Sequence, residues 1–349
     1  MSKLNTRTGR LAAFAGTALL AMSLVACQSA APAPTSAPSE PAPTTSDAPA
    51  DGGIVQTPAE LQVGIIPSPD SAVMYLGVDE GFFSQYGIDL VFNAAQGGAA
   101  IVPPVVSGQW QLGFSNVVSI MQAVENGQPL VILAPSGSTW GEEGKGINKL
   151  YVRGDSGITS AKQLEGKTIA VNTLGNLLQT EAEISIDAAG GDVSTVNFVE
   201  VPPPSGVAAL IEGQVDAAMC NEPFCMQMEA QGAVLLDDSS YTLSPGEAVA
   251  TAAWFTTQQQ IDANPQLFAN LQAALNESNA YATAHPDKTR EKMLEVVTTL
   301  DPEVAKVMLL NNWPASFAEA SLAPLAEAAV KFGHLKAIPD YDSLVWTAP

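Results

Sequence analysis

Positive charge is scarce in this chain. Its 349 residues carry 14 Lys and Arg against 36 Asp and Glu, for a net charge of −22 at pH 7. Such a surface has no counter-charge to set against a phosphate backbone, which argues against nucleic-acid binding. Histidine is almost missing, with only His285 and His334, and cysteine is limited to Cys27, Cys220 and Cys225. That donor set has no zinc-site spacing, so no metal is expected. There is no G-x-S-x-G nucleophile elbow, and Gly141-Glu-Glu-Gly-Lys-Gly lacks the spacing and the Ser/Thr of a phosphate-binding loop. Both histidines fall in the C-terminal tail, away from the strand ends where a site is expected. Histidine-assisted catalysis is therefore not expected, and neither is a cofactor.

The start of the chain has a definite pattern. Lys3, Arg7 and Arg10 precede an apolar run from Leu11 to Val25, which is short for a membrane-spanning helix. Residues 1–26 read as a secretory signal. The run ends in Leu24-Val25-Ala26-Cys27, which resembles the lipobox of bacterial lipoproteins. The resemblance implies that Cys27 is lipidated and becomes the new N-terminus, anchoring the protein to the outer face of the cell membrane. Loss of three basic and no acidic residues with the signal takes the charge from −22 to about −25. Of the 26 residues from 28 to 53, 20 are Ala, Pro, Ser or Thr. Nothing there builds a core, so residues 27–57 are expected to be a disordered tether.

From about residue 58 the chain alternates short apolar runs with helically spaced segments. Leu61–Ile66, Ile88–Phe92, Leu112–Phe114 and Leu130–Leu133 read as strands. Between them Ser71–Phe83, Ala99–Val106 and Ser119–Glu125 read as helices, with Gly87 and Gly108 as stops. The order recurs from Lys167 to Cys220, and a shift of 105 lays Gly108-Gln109 on Gly213-Gln214 and Ser115-Asn116 on Cys220-Asn221. The expected fold is α/β, with two lobes, mostly parallel sheets and a helical, Ala-rich C-terminal tail. The tail is expected to pack on the first lobe without chemistry of its own. Met219, Met226 and Met228 are expected to fill core gaps.

Two such lobes predict a crevice beyond the carboxyl ends of their strands. Those ends carry Ser68 and Asp70, Ser115 and Asn116, Asn172 and Asn176, and Asn221-Glu222. Ser, Asp and Asn are good helix caps, and helix starts also hold ligands, so both readings stand. Trp140, in Pro135-Ser-Gly-Ser-Thr-Trp-Gly, either stacks on a flat ligand or packs its loop. Cys220 and Cys225 flank Asn221-Glu222-Pro223 and are either disulfide-bonded or two small buried thiols.

Several segments together resemble a known family, the periplasmic binding proteins that include alkanesulfonate, taurine, nitrate and thiamine-pyrimidine-precursor binders. They are Leu76-Gly-Val-Asp-Glu-Gly-Phe-Phe83, Gly87-Ile-Asp-Leu90, Ser107-Gly-Gln109 and Asn126-Gly-Gln-Pro-Leu130. Asp155-Ser-Gly-Ile158, Gln163-Leu-Glu-Gly-Lys-Thr-Ile-Ala-Val171, Ala209-Leu-Ile-Glu-Gly-Gln-Val-Asp-Ala-Ala218 and Glu222-Pro223 follow in the family's order. The resemblance implies a type II periplasmic-binding fold that closes on a small ligand and docks on a membrane permease driven by an ATPase. It places hinge strands at Leu150–Arg153 and Val249–Thr256, lobe one at 58–155 plus 246–349, and lobe two at 156–245. It also implies that Glu222 meets ligand; a helix cap or an interlobe salt bridge is the alternative.

The expected role is capture of a small molecule for an ABC importer by a monomer. A sensor on the same scaffold and an enzyme are the rivals. Glu222, and the lack of Lys or Arg at the strand ends, favour a neutral or amine-bearing heterocycle such as a pyrimidine. A sulfonate, nitrate or aromatic carboxylate is the alternative.

Overall fold

The computed structural model describes residues 58–348 except 96 and 299. Cys27, the signal and the tether lie outside the described residues. The first half lays out β1 (Ala59–Ile65), α1 (Pro69–Asp79), β2 (Ile88–Ala94), α2 (Gly98–Val106), β3 (Leu112–Asn116), α3 (Val117–Glu125) and β4 (Leu130–Ser138). Next come β5 (Asn148–Arg153), β6 (Thr168–Val171), α4 (Leu177–Ala188), β7 (Asn197–Glu200), α5 (Pro203–Ile211), β8 (Ala217–Asn221), α6 (Phe224–Ala230), β9 (Ala233–Asp237) and α7 (Ser239–Leu243). The chain returns as β10 (Ala250–Thr257). It ends in α8 (Gln258–Ala263), α9 (Pro265–Ala284), α10 (Pro286–Val296), α11 (Pro302–Val307), α12 (Ala323–Lys331) and α13 (Tyr341–Leu344).

These strands form two five-stranded sheets, ordered β2-β1-β3-β10-β4 and β7-β6-β8-β5-β9. In each, one strand runs against the rest: β10 is antiparallel to β3 and β4, and β5 to β8 and β9. The internal repeat is therefore real at the level of topology. The bounds of α2 and α5, and of β3 and β8, differ by 105 residues.

Burial explains the sequence of the first sheet. β4 and β10 are buried at every position. A strand covered on both faces loses the polar alternation that marks a half-exposed one. One cover comes from α2, α3 and α12 through Ile101, Val117, Ile120 and Leu325. The other comes from α1 and α9 through Met74, Phe268, Leu271 and Leu275. β4 also runs past its expected end at Leu133 to Ser138, because β10 and a bridge to Asn312 satisfy its polar backbone.

The expected hinge segments are strands of the two sheets. Residues 150–153 lie within β5, whose partners β8 and β9 are both in the second sheet. That sheet thus begins at Asn148, ahead of the expected boundary at 155/156, and most of 249–256 is β10 of the first sheet. The crossing segments run between β4 and β5 and between α7 and β10. They are tied together by Thr139 N–H to the Val249 carbonyl at 2.8 Å and Gly246 N–H to the Gly141 carbonyl at 2.9 Å. Gly141 has φ +65°, and a Cβ there would lie 2.5 Å from the backbone of Glu247, so only glycine fits this close approach.

Candidate functional site

The carboxyl ends of the parallel strands hand the chain to helix starts in both lobes, as expected. Several predicted residues are used there as caps. Ser68 caps α1, accepting from the Ser71 N–H at 3.4 Å while the Ser71 hydroxyl accepts from the Ser68 N–H at 3.0 Å. Asn116 caps α3 through the Ser119 N–H at 2.9 Å. Asn176 caps α4 through the Leu178 N–H at 3.2 Å and donates to the Asn172 side-chain oxygen at 3.0 Å. Each cap satisfies one of the donors that a helix start would otherwise offer to an anion.

Three further predicted positions have at least one polar atom not spent on a helix cap. Ser115 is 1% exposed, and its hydroxyl has no hydrogen-bond partner among the described residues. It lies so close to α2 that a Cβ on Gly98 would fall 2.0 Å from its oxygen. Asp70, half-buried in the first turn of α1, accepts from Trp313 Nε1 at 3.0 Å and from Asn311 Nδ2. Burial pushes its carboxyl up to about 6 against those two hydrogen bonds.

Glu222 closes β8 in the second lobe and is 9% exposed. Its Oε2 accepts from the Met226 N–H at 3.3 Å, and among the described residues its other carboxylate oxygen has no partner. Burial raises its pKa, with Lys149 and the Met226 N–H opposing and Glu229 adding to the shift. Cys220 and Cys225 are disulfide-bonded across this turn, with Cα atoms 5.4 Å apart. The Glu222–Pro223 peptide is cis.

Trp140, expected either to stack on a ligand or to pack its loop, packs against the 309–313 segment. Its indole donates to the Leu310 carbonyl at 2.8 Å, and it lines a cavity built from the first lobe and the crossing segment. The N–H is spent locally because the 309–313 segment runs beside the end of β4.

The tail contributes more than sequence reasoning assigned to it. Asn311 and Trp313 reach back to Asp70, and His334 Nε2 lies 2.6 Å from Glu183 Oε2 on α4. His334 is not remote from the strand ends as expected, because its ring lies 3.5 Å from where a Cβ on Gly175 would sit, and it bridges the lobes. Gln122 on α3 donates to the Gly175 carbonyl at 2.6 Å, and Lys331 pairs with Asp187 at 2.6 Å. Met226 is not simply a gap-filler of its own lobe, because it packs against the first-lobe cluster that holds Ala72, Leu76, Leu310 and Trp313. Trp313 is one of two tryptophans in an Ala-rich tail, and no other signal marked it. Nothing local marked Gln122 or Glu183. Among the described residues no cluster of three metal-ligating side chains occurs, and no helix is long and apolar enough to cross a membrane.

The family model described as NMT1/THI5 like matches residues 68–289, more than half of the chain. No curated protein matches it in sequence. Solved structures share the fold. The periplasmic aliphatic sulphonate-binding protein SsuA of Escherichia coli superposes with a TM-score of 0.68 at 15% identity, covering 84% of this chain and 93% of that one. The alkanesulfonate-binding SsuA of Xanthomonas axonopodis pv. citri, bound to MOPS, gives 0.66 at 16% identity, covering 84% and 99%. The periplasmic nitrate-binding protein NrtA of Synechocystis PCC 6803 gives 0.62 at 15% identity, covering 82% and 86%. At these identities the likeness is one of fold, the two-lobed periplasmic-binding architecture.

Proposed function

We propose that this chain, which belongs to the NMT1/THI5-like family, is the extracytoplasmic substrate-binding component of an ABC importer. It captures a small neutral or amine-bearing heterocycle, a pyrimidine or similar ring, between its lobes and delivers it to a membrane permease. Lipidation of Cys27 would hold it at the membrane as a monomer, with residues 28–57 as the leash.

The observation that carries the ligand class is Glu222. It is a nearly buried carboxylate at a strand end, with one oxygen unpartnered among the described residues and no ion pair. Its free oxygen can accept a hydrogen bond from a ligand donor that displaces solvent there. Asp70 supplies a second carboxyl on the opposite lobe. Two acidic groups, with three helix starts already capped, suit ligand N–H donors better than a bare anion. One observation favours the sulfonate, nitrate or carboxylate alternative: the start of α2 has no side-chain cap and lies beside the free Ser115 hydroxyl.

A thermal-shift screen of the protein against pyrimidines, amines, sulfonates, nitrate and carboxylates tests both readings. A ligand that binds only the folded form adds about 2.7 kcal/mol of stability at a hundredfold excess over its Kd. For a pyrimidine or amine hit, Glu222→Ala is expected to cost about 1.5–3 kcal/mol of affinity. An unchanged Kd in the folded mutant rejects the role of Glu222, and hits confined to sulfonates or nitrate select the alternative.

A further inference from the structure

Beside the cleft lies a cavity of about 260 Å³, lined among others by Trp140, Lys145, Arg290, Leu310 and Trp313. None of its lining residues comes from the second sheet, although Met226 of the second lobe packs on the cluster that holds Leu310 and Trp313. Its volume is near the lower end of small-molecule sites, about 300–1,000 Å³, and suits a single ring.

Its chemistry differs from that of the cleft. Arg290 is half-buried on α10 and makes no ion pair among the described residues. Its Nη1 donates to the carbonyls of Ala305 at 2.6 Å and Met308 at 2.8 Å. That leaves Nε and Nη2 without partners among the described residues. These two atoms form the fork that grips a carboxylate at two points. Burial disfavours the charge of Arg290, and only the nearby Asp287 supports it. A partly desolvated cation of this kind is stabilised by an anion. Lys145, 5.5 Å from the centre of the Trp140 ring, adds positive charge, although Glu142 pairs with it at 2.6 Å. Trp140, Trp313 and Leu310 provide flat apolar walls for a ring. The acidic surface elsewhere does not forbid this, because charges beyond about 8 Å are largely screened at physiological salt.

We propose that this cavity is a second binding site, separate from the interlobe cleft, for a small aromatic carboxylate held by Arg290 between the two indoles. It stands independently of the cargo assigned to the cleft.

The test is a titration of the intact protein with benzoate, followed in ¹H–¹⁵N spectra through the indole N–H signals of its five tryptophans. The signals of Trp140 and Trp313, assigned with Trp140→Phe and Trp313→Phe, are expected to shift saturably. Neutral benzamide is expected not to shift them. Arg290→Gln is expected to weaken benzoate at least tenfold, and Arg290→Lys, which keeps the charge but loses the fork, severalfold. Absence of a saturable shift, equal binding of benzamide, or undiminished affinity in Arg290→Gln overturns the proposal. If Arg290→Gln does not fold, undiminished affinity in Arg290→Lys overturns it instead.

Discussion

A carboxyl group kept from water holds its proton, and two residues show how far this chain uses that rule. Glu181 on α4 is fully buried, with the Ser240 hydroxyl 3.3 Å from Oε1 and no partner for Oε2 among the described residues. Burial pushes its carboxyl from 4.5 up to about 8. Because the folded-state value is raised, the stability this group contributes is fully present below about 4.5 and is lost as pH rises through about 8. Glu181→Gln mimics the protonated acid. It is expected to be nearly neutral at pH 5 and to stabilise the protein at pH 8 by on the order of a few kcal/mol. Chemical denaturation at the two pH values checks this, and an equal effect at both would reject it. Asp70, raised to about 6, adds to the same slope at lower pH. Neither shift was legible in the sequence. Glu181 sits in Leu-Leu-Gln-Thr-Glu-Ala-Glu, where nothing local marks which glutamate is buried. The contacts that bury α4 come from α7 and α12, distant in the chain.

At the scale of elements, sequence reading was most accurate where local chemistry decides. The expected helical tail opens with α9, whose bounds follow local chemistry, because Asn264 caps it, Pro265 suits its first position and His285-Pro286 stops it. The turn from β8 to α6 was legible only in part. Spacing left Cys220 and Cys225 open between thiols and a disulfide, and the fold pairs them. That bond closes a loop of six residues around Glu222, for which the chain-entropy estimate is about 2 kcal/mol. Cys220→Ala with Cys225→Ala is expected to lower Tm by several degrees. It is also expected to weaken ligand binding through a looser Glu222. Calorimetry with a matched Kd measurement checks both, and an unchanged Tm would remove the structural role.

The whole molecule is held together across its cleft by contacts from both flanks. On one side Met226 of the second lobe enters the cluster around Trp313 and Leu76. On the other, Gln122–Gly175, His334–Glu183 and Lys331–Asp187 join the first lobe to α4. Contacts that join the lobes in this arrangement would be lost on opening, so they are expected to favour closure. Met226→Ala and His334→Ala, singly or together, are expected to enlarge the ligand-free protein in small-angle scattering and to raise the ligand off-rate severalfold. Scattering curves and off-rates identical to those of the parent protein would show that closure does not depend on them.

The sequence by itself determined the βα alternation, the repeat at a shift of 105, most element starts and the strand ends on which the site is built. Each depends on periodicity, caps, glycines and prolines that act within a few residues. Only the tertiary structure decided which sheet Leu150–Arg153 joins, which carboxyls lose water and what stands beside them. Leu150–Arg153 looks the same as an extended linker or a central strand until β8 and β9 pair with it. Asp70 meets Asn311 across 241 residues of chain, a contact set by how α1 and the tail pack, which no local pattern encodes.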